Sequence, residues 1–296
     1  MVVVCVSGGK GGTGKSTIAC CLAVLLSRMK FSVLLVDADI ENPVDHLVLG
    51  ISRELRSEIS SFLPEIDSSK CIGCLKCVLS CPEHALIGLK GSVPKLMEEL
   101  CNGCGVCKLV CPRGAIVEKQ RMVARVWVGE KNGINYIACE LLPGVKQAHA
   151  VTEIFLKSIE EQLRSYNFAI IDTIPGAGSS VYSCIKRSNV VIAVTEPTPL
   201  GAHDLDLLLQ LCERIDRKVI TVLNRADLPG SGKDYVLATV DKFKHIVIGY
   251  VEIPYLSEVV KYYSKSDVLT LLEKLQPFKQ PLEKLAELLI EISRKV

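Results

Sequence analysis

Eight cysteines fall into two copies of one pattern. The first is Cys71, Cys74, Cys77 and Cys81 followed by Pro82; the second is Cys101, Cys104, Cys107 and Cys111 followed by Pro112. Each reads C-x2-C-x2-C-x3-C-P, the spacing with which thiolates hold [4Fe–4S] clusters in two-cluster electron carriers. Three thiolates close in sequence bind three irons of a cubane, and the fourth of each run reaches the other cluster. One cluster is therefore expected on Cys71, Cys74, Cys77 and Cys111, the other on Cys101, Cys104, Cys107 and Cys81. Gly73, Gly103 and Gly105 suit the tight turns around each cluster. Paired C-x2-C elements also bind structural zinc, and small secreted domains oxidise theirs to disulfides. Zinc needs four ligands per site and gains nothing from two four-cysteine runs that each end in proline.

A phosphate loop is the second chemical signal. The apolar run 2–6 leads into Ser7-Gly8-Gly9-Lys10-Gly11-Gly12-Thr13-Gly14-Lys15-Ser16-Thr17, and a periodic apolar stretch, 18–29, follows. Residues 9–16 fit G-x4-G-K-[ST] in the strand–loop–helix setting that motif requires. Glycines let successive backbone N–H groups turn onto phosphate oxygens. Lys15 neutralises the β- and γ-phosphates, Ser16 ligates Mg²⁺, and the helix N-terminus adds its positive end.

These residues need a scaffold. The chain has 296 residues, 49% of them hydrophobic, enough for one large α/β domain plus a small module. The net charge of +2 argues neither for nor against nucleic acid, and none is expected as a partner. No apolar stretch reaches the ~20 residues of a membrane span. The opening residues read as a strand rather than a signal peptide. Six further cysteines, Cys5, Cys20, Cys21, Cys139, Cys184 and Cys212, sit mostly in apolar surroundings and suit a reducing cytoplasm.

Strands are expected at 2–6, 33–37, 168–172, 190–195, 218–223 and 246–250. Helices are expected at 15–29, about 148–165, about 179–187, 202–214, 232–243, 256–263 and 281–294. Continuous apolar strands alternating with helices indicate a doubly wound, mostly parallel α/β sheet. The cysteine module interrupts it, giving domains at 1–62 with 121–296, and at 63–120. Each cysteine run is followed by an apolar triplet, Ala85-Leu86-Ile87 and Ala115-Ile116-Val117, an internal repeat. So small a module makes little core alone, and its clusters are expected to supply folding free energy. Residues 122–128 and 134–139 read as two strands returning to the main sheet. At the end, Leu282, Leu285, Leu289, Ile292 and Val296 form one apolar stripe with balanced charges. Packing on the domain suits it better than a membrane surface.

The form K-G-G-x-G-K-[ST], with Lys10 first, resembles the deviant Walker A motif of the superfamily that includes MinD, ParA, Mrp and the nitrogenase iron protein. The resemblance implies an ATP-sandwich homodimer in which Lys10 reaches the partner's nucleotide. It carries further roles onto matching positions. In Asp37-Ala38-Asp39, Asp39 would orient or activate the attacking water and Asp37 would help near the metal shell. Asp172 would hold Mg²⁺ through water, and Gly176, after Pro175, would sense the γ-phosphate. Asn224 would contact the adenine edge, with Pro254 of Glu252-Ile253-Pro254 lining the other side of the base. The two cysteine runs, with Thr195-Glu196-Pro197-Thr198, Gly201, His203, Asp204 and Leu205, resemble the members that contain an inserted ferredoxin domain. Ser179 departs from relatives that carry cysteine just after the switch II glycines. No second C-x2-C pair stands outside the module, so Cys139 and Cys184 read as packing residues. The resemblance implies a weak ATPase in the cytoplasm, coupled to electron transfer toward a redox partner. The alternatives are a carrier in iron–sulfur or metallocofactor assembly, with a cluster-accepting protein as partner, and a MinD- or ParA-like positioning switch.

Overall fold

In the computed structural model, which describes residues 1–230 and 232–295, the continuous apolar runs form strands buried on both faces. The chain follows the order β1 (Val2–Ser7), α1 (Lys15–Arg28), β2 (Val33–Asp37), α2 (Asp45–Leu49), β3 (Glu54–Ile66), α3 (Lys76–Leu79), β4 (Leu86–Ile87), β5 (Lys95–Leu96), α4 (Val106–Leu109), β6 (Ile116–Lys131) and β7 (Ile134–Leu141). It continues through α5 (Ala148–Ser158), α6 (Glu160–Leu163), β8 (Phe168–Asp172), α7 (Ser179–Arg187), β9 (Val190–Thr195), α8 (Pro199–Arg214) and β10 (Lys218–Asn224). The last elements are α9 (Gly232–Lys242), β11 (Val247–Ile253), α10 (Ser257–Tyr263), α11 (Val268–Lys274) and α12 (Gln276–Ser293). Packing divides the chain into one unit of residues 1–56, 126–140 and 152 onward, and another of 57–125 and 141–151.

The first unit is built on strands ordered β11-β10-β9-β1-β8-β2-β7, and every pair in that run is parallel. β6 and β3, whose residues belong partly to each unit, follow β7 in the hydrogen-bonded order. The order turns at β1: β2 is reached on one side and β9 on the other, and ligands of such sheets bind at the strands' carboxyl ends near that turn. Register sets the chemistry there. Val6 of β1 and Asp37 of β2 both stand opposite Asp172 of β8, so two carboxylates end at the level where β1 enters its glycine loop.

Helix α1 packs its Ile18, Leu22 and Leu26 into the core with essentially no exposure. Leu282, Leu285 and Leu289 of α12 belong to the same cluster, and Ile292 packs partly against it. Each fully buried leucine contributes roughly 1.5–3 kcal/mol, so this stripe fixes α12 to the domain. Val296, expected at its end, lies outside the described residues. No helix among the described residues is long and apolar enough to cross a membrane.

In the second unit, β4 and β5 form an antiparallel ribbon with Leu86 opposite Leu96. Helices α3 and α4 pack on one another, and each starts from a left-handed residue, Leu75 (φ +60°) and Gly105 (φ +74°). The two cysteine runs therefore repeat in conformation as well as in spacing. Cys77, Leu86, Cys107 and Ile116 form one small buried cluster between the two runs.

Several elements differ from expectation. The expected helix at about 148–165 breaks at Ile159 into α5 and α6. Helix α8 begins at Pro199 rather than 202, because Thr198 Oγ1 accepts the Gly201 N–H at 2.9 Å and Pro199 needs no donor in the first turn. β6 runs from Ile116 to Lys131, well beyond the expected 122–128. β3 was not expected, because most of Glu54–Ile66 is polar and exposed. Helices α2 and α11 are additional short elements.

Candidate functional site

The loop after β1 is shaped for close backbone approach. A Cβ on Gly8 would lie 2.4 Å from Val194 O, and one on Gly9 would overlap the Asp204 side chain. Gly12 and Gly14 have φ of +79° and +96°, and Gly14 caps α1 without any side-chain hydrogen bond. The first-turn N–H groups of α1, from Lys15, Ser16 and Thr17 onward, thus lack a capping side chain, the arrangement that receives an anion. Lys15 is nearly buried, and its Nζ donates to Lys10 O at 3.1 Å across the loop. Thr13 Oγ1 donates to the same carbonyl. Burial lowers the Lys15 pKa, while Asp172 and Asp39 pull it back up.

Ser16 Oγ donates to Asp172 Oδ2 at 2.5 Å, and the other oxygen, Oδ1, is buried without a partner. A fully buried carboxylate oxygen left unpaired beside a P-loop serine is what a hydrated divalent cation would satisfy. Burial raises the pKa of both Asp37 and Asp172, which stand opposite each other in the sheet. Asp37 is held by the Asp45 N–H at 3.0 Å and by Tyr136 Oη at 3.3 Å. Asp39 accepts the Asn42 N–H at 3.3 Å and lies within electrostatic reach of Lys15 and Asp172. Its pKa is raised by burial, against the pull of that N–H. Gly176 N–H donates to Gly8 O at 3.0 Å, which ties the segment after β8 to the phosphate loop.

A cleft of about 300 Å³ runs from this loop between Gly12, Gly14, Lys15, Ser16 and Thr17 on one side and Asn224, Pro254 and Tyr255 on the other. Its far wall is apolar: Leu256, Val259, Val260, Tyr263 and Phe278. Phosphate donors at one end and an apolar slot at the other suit a nucleotide. Asn224 Nδ2 donates to Thr13 O at 2.8 Å, so in this structure its amide ties the cleft's rim to the loop. Gly11 approaches Pro175.

Three residues here were given no role from sequence. Glu196, nearly buried, pairs with Lys10 Nζ at 3.1 Å and with the Arg225 guanidinium, and Arg225 Nη2 also reaches Gly12 O at 3.2 Å. Lys10 is thus held within its own chain. Asp45 is fully buried; neither carboxyl oxygen has a well-formed hydrogen bond, and the buried Cys20 thiol is the weak donor beside it. Only the quoted motif Thr195-Glu196-Pro197-Thr198 hinted at any of them.

In the second unit the eight cysteines sort into two fours. Cys71, Cys74, Cys77 and Cys111 line one pocket; Cys81, Cys101, Cys104 and Cys107 line the other. All are free thiols. The Ala115 N–H points to Cys111 Sγ and the Ala85 N–H to Cys81 Sγ, each at 3.3 Å, a matched pair across the repeat. Among the described residues, no three or more His, Cys, Asp or Glu side chains converge tightly enough for one metal ion. Gly73 and Gly103 have φ of +62° and +73°; a Cβ on Gly73 would overlap the Gly91 backbone, and one on Gly103 would sit 3.0 Å from Phe62 O. Elsewhere, Cys139 and Cys184 lie in the core of the first unit, and burial pushes both thiols up to about 12.

Comparison with known proteins agrees with this geometry. The septum site-determining protein MinD of Pyrococcus horikoshii OT3, solved with Mg-ADP, has a TM-score of 0.61 at 17% identity, covering 100% of this chain and 99% of that one. The cell division ATPase MinD of Pyrococcus furiosus gives 0.59 at 17% identity, covering 98% and 99%. An uncharacterized protein of Methanocaldococcus jannaschii is 27% identical over 90% of this chain and 91% of its own length. An iron-sulfur cluster carrier protein of Aquifex aeolicus is 44% identical over 52 residues, which span 18% of this chain and 14% of that relative. Residues 4–269 match the CobQ/CobB/MinD/ParA nucleotide binding domain, and the chain belongs to that family.

Proposed function

We propose that the protein binds and hydrolyses ATP with Mg²⁺, and couples nucleotide-driven closure of a homodimer to electron transfer through two [4Fe–4S] clusters in a ferredoxin-like insertion. One observation carries this reading: each pocket of the second unit is lined by four cysteines, three from one run and the fourth from the other. Four thiolates around one zinc at ~2.3 Å would stand only ~3.8 Å apart. A four-iron cubane holds its four thiolates farther apart, around a pocket lined from both runs, as here. The backbone N–H groups aimed at Cys81 and Cys111 sulfur would stabilise the charge that ligation puts there. When bound, the clusters supply one-electron storage and relay.

The rest falls to the chain's own residues. Lys15 and the open first turn of α1 hold the phosphates, with Ser16 and Asp172 holding the cation and its waters. Asp39 orients the attacking water. Asn224, Pro254 and the apolar wall beyond receive the base. Lys10 leaves Glu196 to reach the partner's nucleotide, so dimer closure and phosphate sensing share one side chain. With Lys10 held in its own chain, hydrolysis by a lone protomer is slow, and a partner speeds it.

A second reading, transfer of a cluster to an apo-protein, is favoured by the short matches to iron-sulfur cluster carrier proteins. The third, a positioning switch, gains nothing from a C-terminal helix whose apolar stripe is already buried. Anaerobic redox titration with and without MgATP, followed by incubation with an apo-acceptor, separates them. A nucleotide-dependent potential supports electron transfer; loss of iron to the acceptor supports the carrier; neither result would leave the switch.

A further inference from the structure

The two cysteine pockets match in ligand spacing, in left-handed helix starts and in the N–H donors to sulfur. They differ in charge. The pocket of Cys71, Cys74, Cys77 and Cys111 is also lined by Lys76 and Arg113; no charged side chain lines the other. The repeat makes the contrast sharper. Lys76, just before the third cysteine of its run, corresponds to Val106, and Arg113, just after the proline, corresponds to Glu83. Among the described residues, neither Lys76 nor Arg113 is in an ion pair. Near the second pocket, Arg121 donates to the Glu98 and Cys101 carbonyls, while Glu83 accepts from Asn102 Nδ2 at 3.1 Å. The second site thus has one cation close enough to favour the Cys101 thiolate and one carboxylate, Glu83, whereas two cations line the first pocket itself.

We infer that the two clusters are unequal, and that in the singly reduced module the electron rests on the one held by Cys71, Cys74, Cys77 and Cys111. This rests on the two-cluster reading above. Reduction adds one negative charge, which Lys76 and Arg113 stabilise at the first site, and local charge is one of the levers that set cluster potential. The step is a single electron supplied by a low-potential one-electron donor; no bond forms or breaks and no proton moves. An electron arriving at the second cluster passes to the first, which makes Lys76 and Arg113 the residues that give the module a direction.

The test is a potentiometric titration of the anaerobically reconstituted full chain, followed by low-temperature electron paramagnetic resonance. Two one-electron waves are expected. Their occupancies differ by about tenfold or more, a separation of ~59 mV. Lys76→Val with Arg113→Glu, which copies the second site onto the first, moves the upper wave down and leaves the lower one. Val106→Lys with Glu83→Arg moves the lower wave up. Raising salt from ~0.01 to ~1 M cuts the screening length from ~30 to ~3 Å and narrows the separation. Iron and sulfide counts on each sample show whether both clusters are present. Coincident waves at full iron, or a first-site swap that moves the lower wave, overturn the inference alone. Absence of iron overturns it together with the two-cluster reading beneath it.

Discussion

Replacing Gly14 by alanine tests how the phosphate loop is built. Gly14 sits at φ +96° and ψ 15°, and a Cβ there would lie 2.4 Å from Asn224 Nδ2. That same amide now donates to Thr13 O at 2.8 Å. Left-handed backbone costs a non-glycine residue ~1–2 kcal/mol. Pushing the Asn224 amide aside forfeits a hydrogen bond worth ~1 kcal/mol. Together these come to about 2–3 kcal/mol, or roughly 30- to 150-fold in an equilibrium constant. Where the cost appears depends on the loop. If the loop keeps its shape, the unliganded protein loses stability; if it relaxes, nucleotide binding must restore the shape and affinity falls. Calorimetric titration with Mg-ADP and denaturant unfolding on one sample measure both parts. Their sum is the expected quantity. A variant within about threefold of wild-type affinity and ~0.5 kcal/mol of its stability would refute the reasoning.

Asp39→Asn should leave ATP binding near wild type and slow hydrolysis by at least ~10²-fold, the scale of a positioned proton acceptor; unchanged turnover removes Asp39 from that role. Glu196→Gln frees Lys10 from its 3.1 Å ion pair; because Lys10 is partly exposed, the gain is ~0.2–1 kcal/mol. Two Lys10 side chains are freed per dimer, so ATP-dependent dimerisation, read by sedimentation, should tighten by no more than about thirtyfold, and a weaker dimer contradicts the assignment. Burial raises the carboxyls of Asp37, Asp45 and Asp172 above their usual range. Between ~4 and those raised values the folded state binds more protons than the unfolded one, so these acids make unliganded protein less stable as pH rises. His46, lowered by burial, works the other way, so the comparison must be with Asp45→Asn. Denaturant midpoints from pH 5 to 8 should rise less, or fall more, with pH in wild type than in Asp45→Asn; parallel profiles would oppose the prediction.

Contiguous chemistry was legible in the sequence. The phosphate loop, the strands ending at Asp37 and Asp172 and the two cysteine runs are local patterns of residue type and spacing, and the apolar stripe of Leu282, Leu285 and Leu289 announced its own burial. What stayed hidden depends on distance in the chain. Lys10 and Glu196 meet only because β1 and β9 are neighbours in the sheet. Asp45 looks like a surface acid in Pro43-Val44-Asp45-His46, and only the fold buries it against Asp37. β3 has neither an apolar run nor clean alternation, because most of its side chains face solvent. The charge contrast between Lys76 with Arg113 and Val106 with Glu83 is present in the sequence, but its meaning depends on which residues line which pocket.

The most direct measurement is a metal and sulfide count on full-length protein purified without oxygen. Two cubanes in the pockets of Cys71, Cys74, Cys77, Cys111 and of Cys81, Cys101, Cys104, Cys107 require about eight irons and about eight sulfides per chain. A colourless protein holding about two zincs and no sulfide would contradict the account.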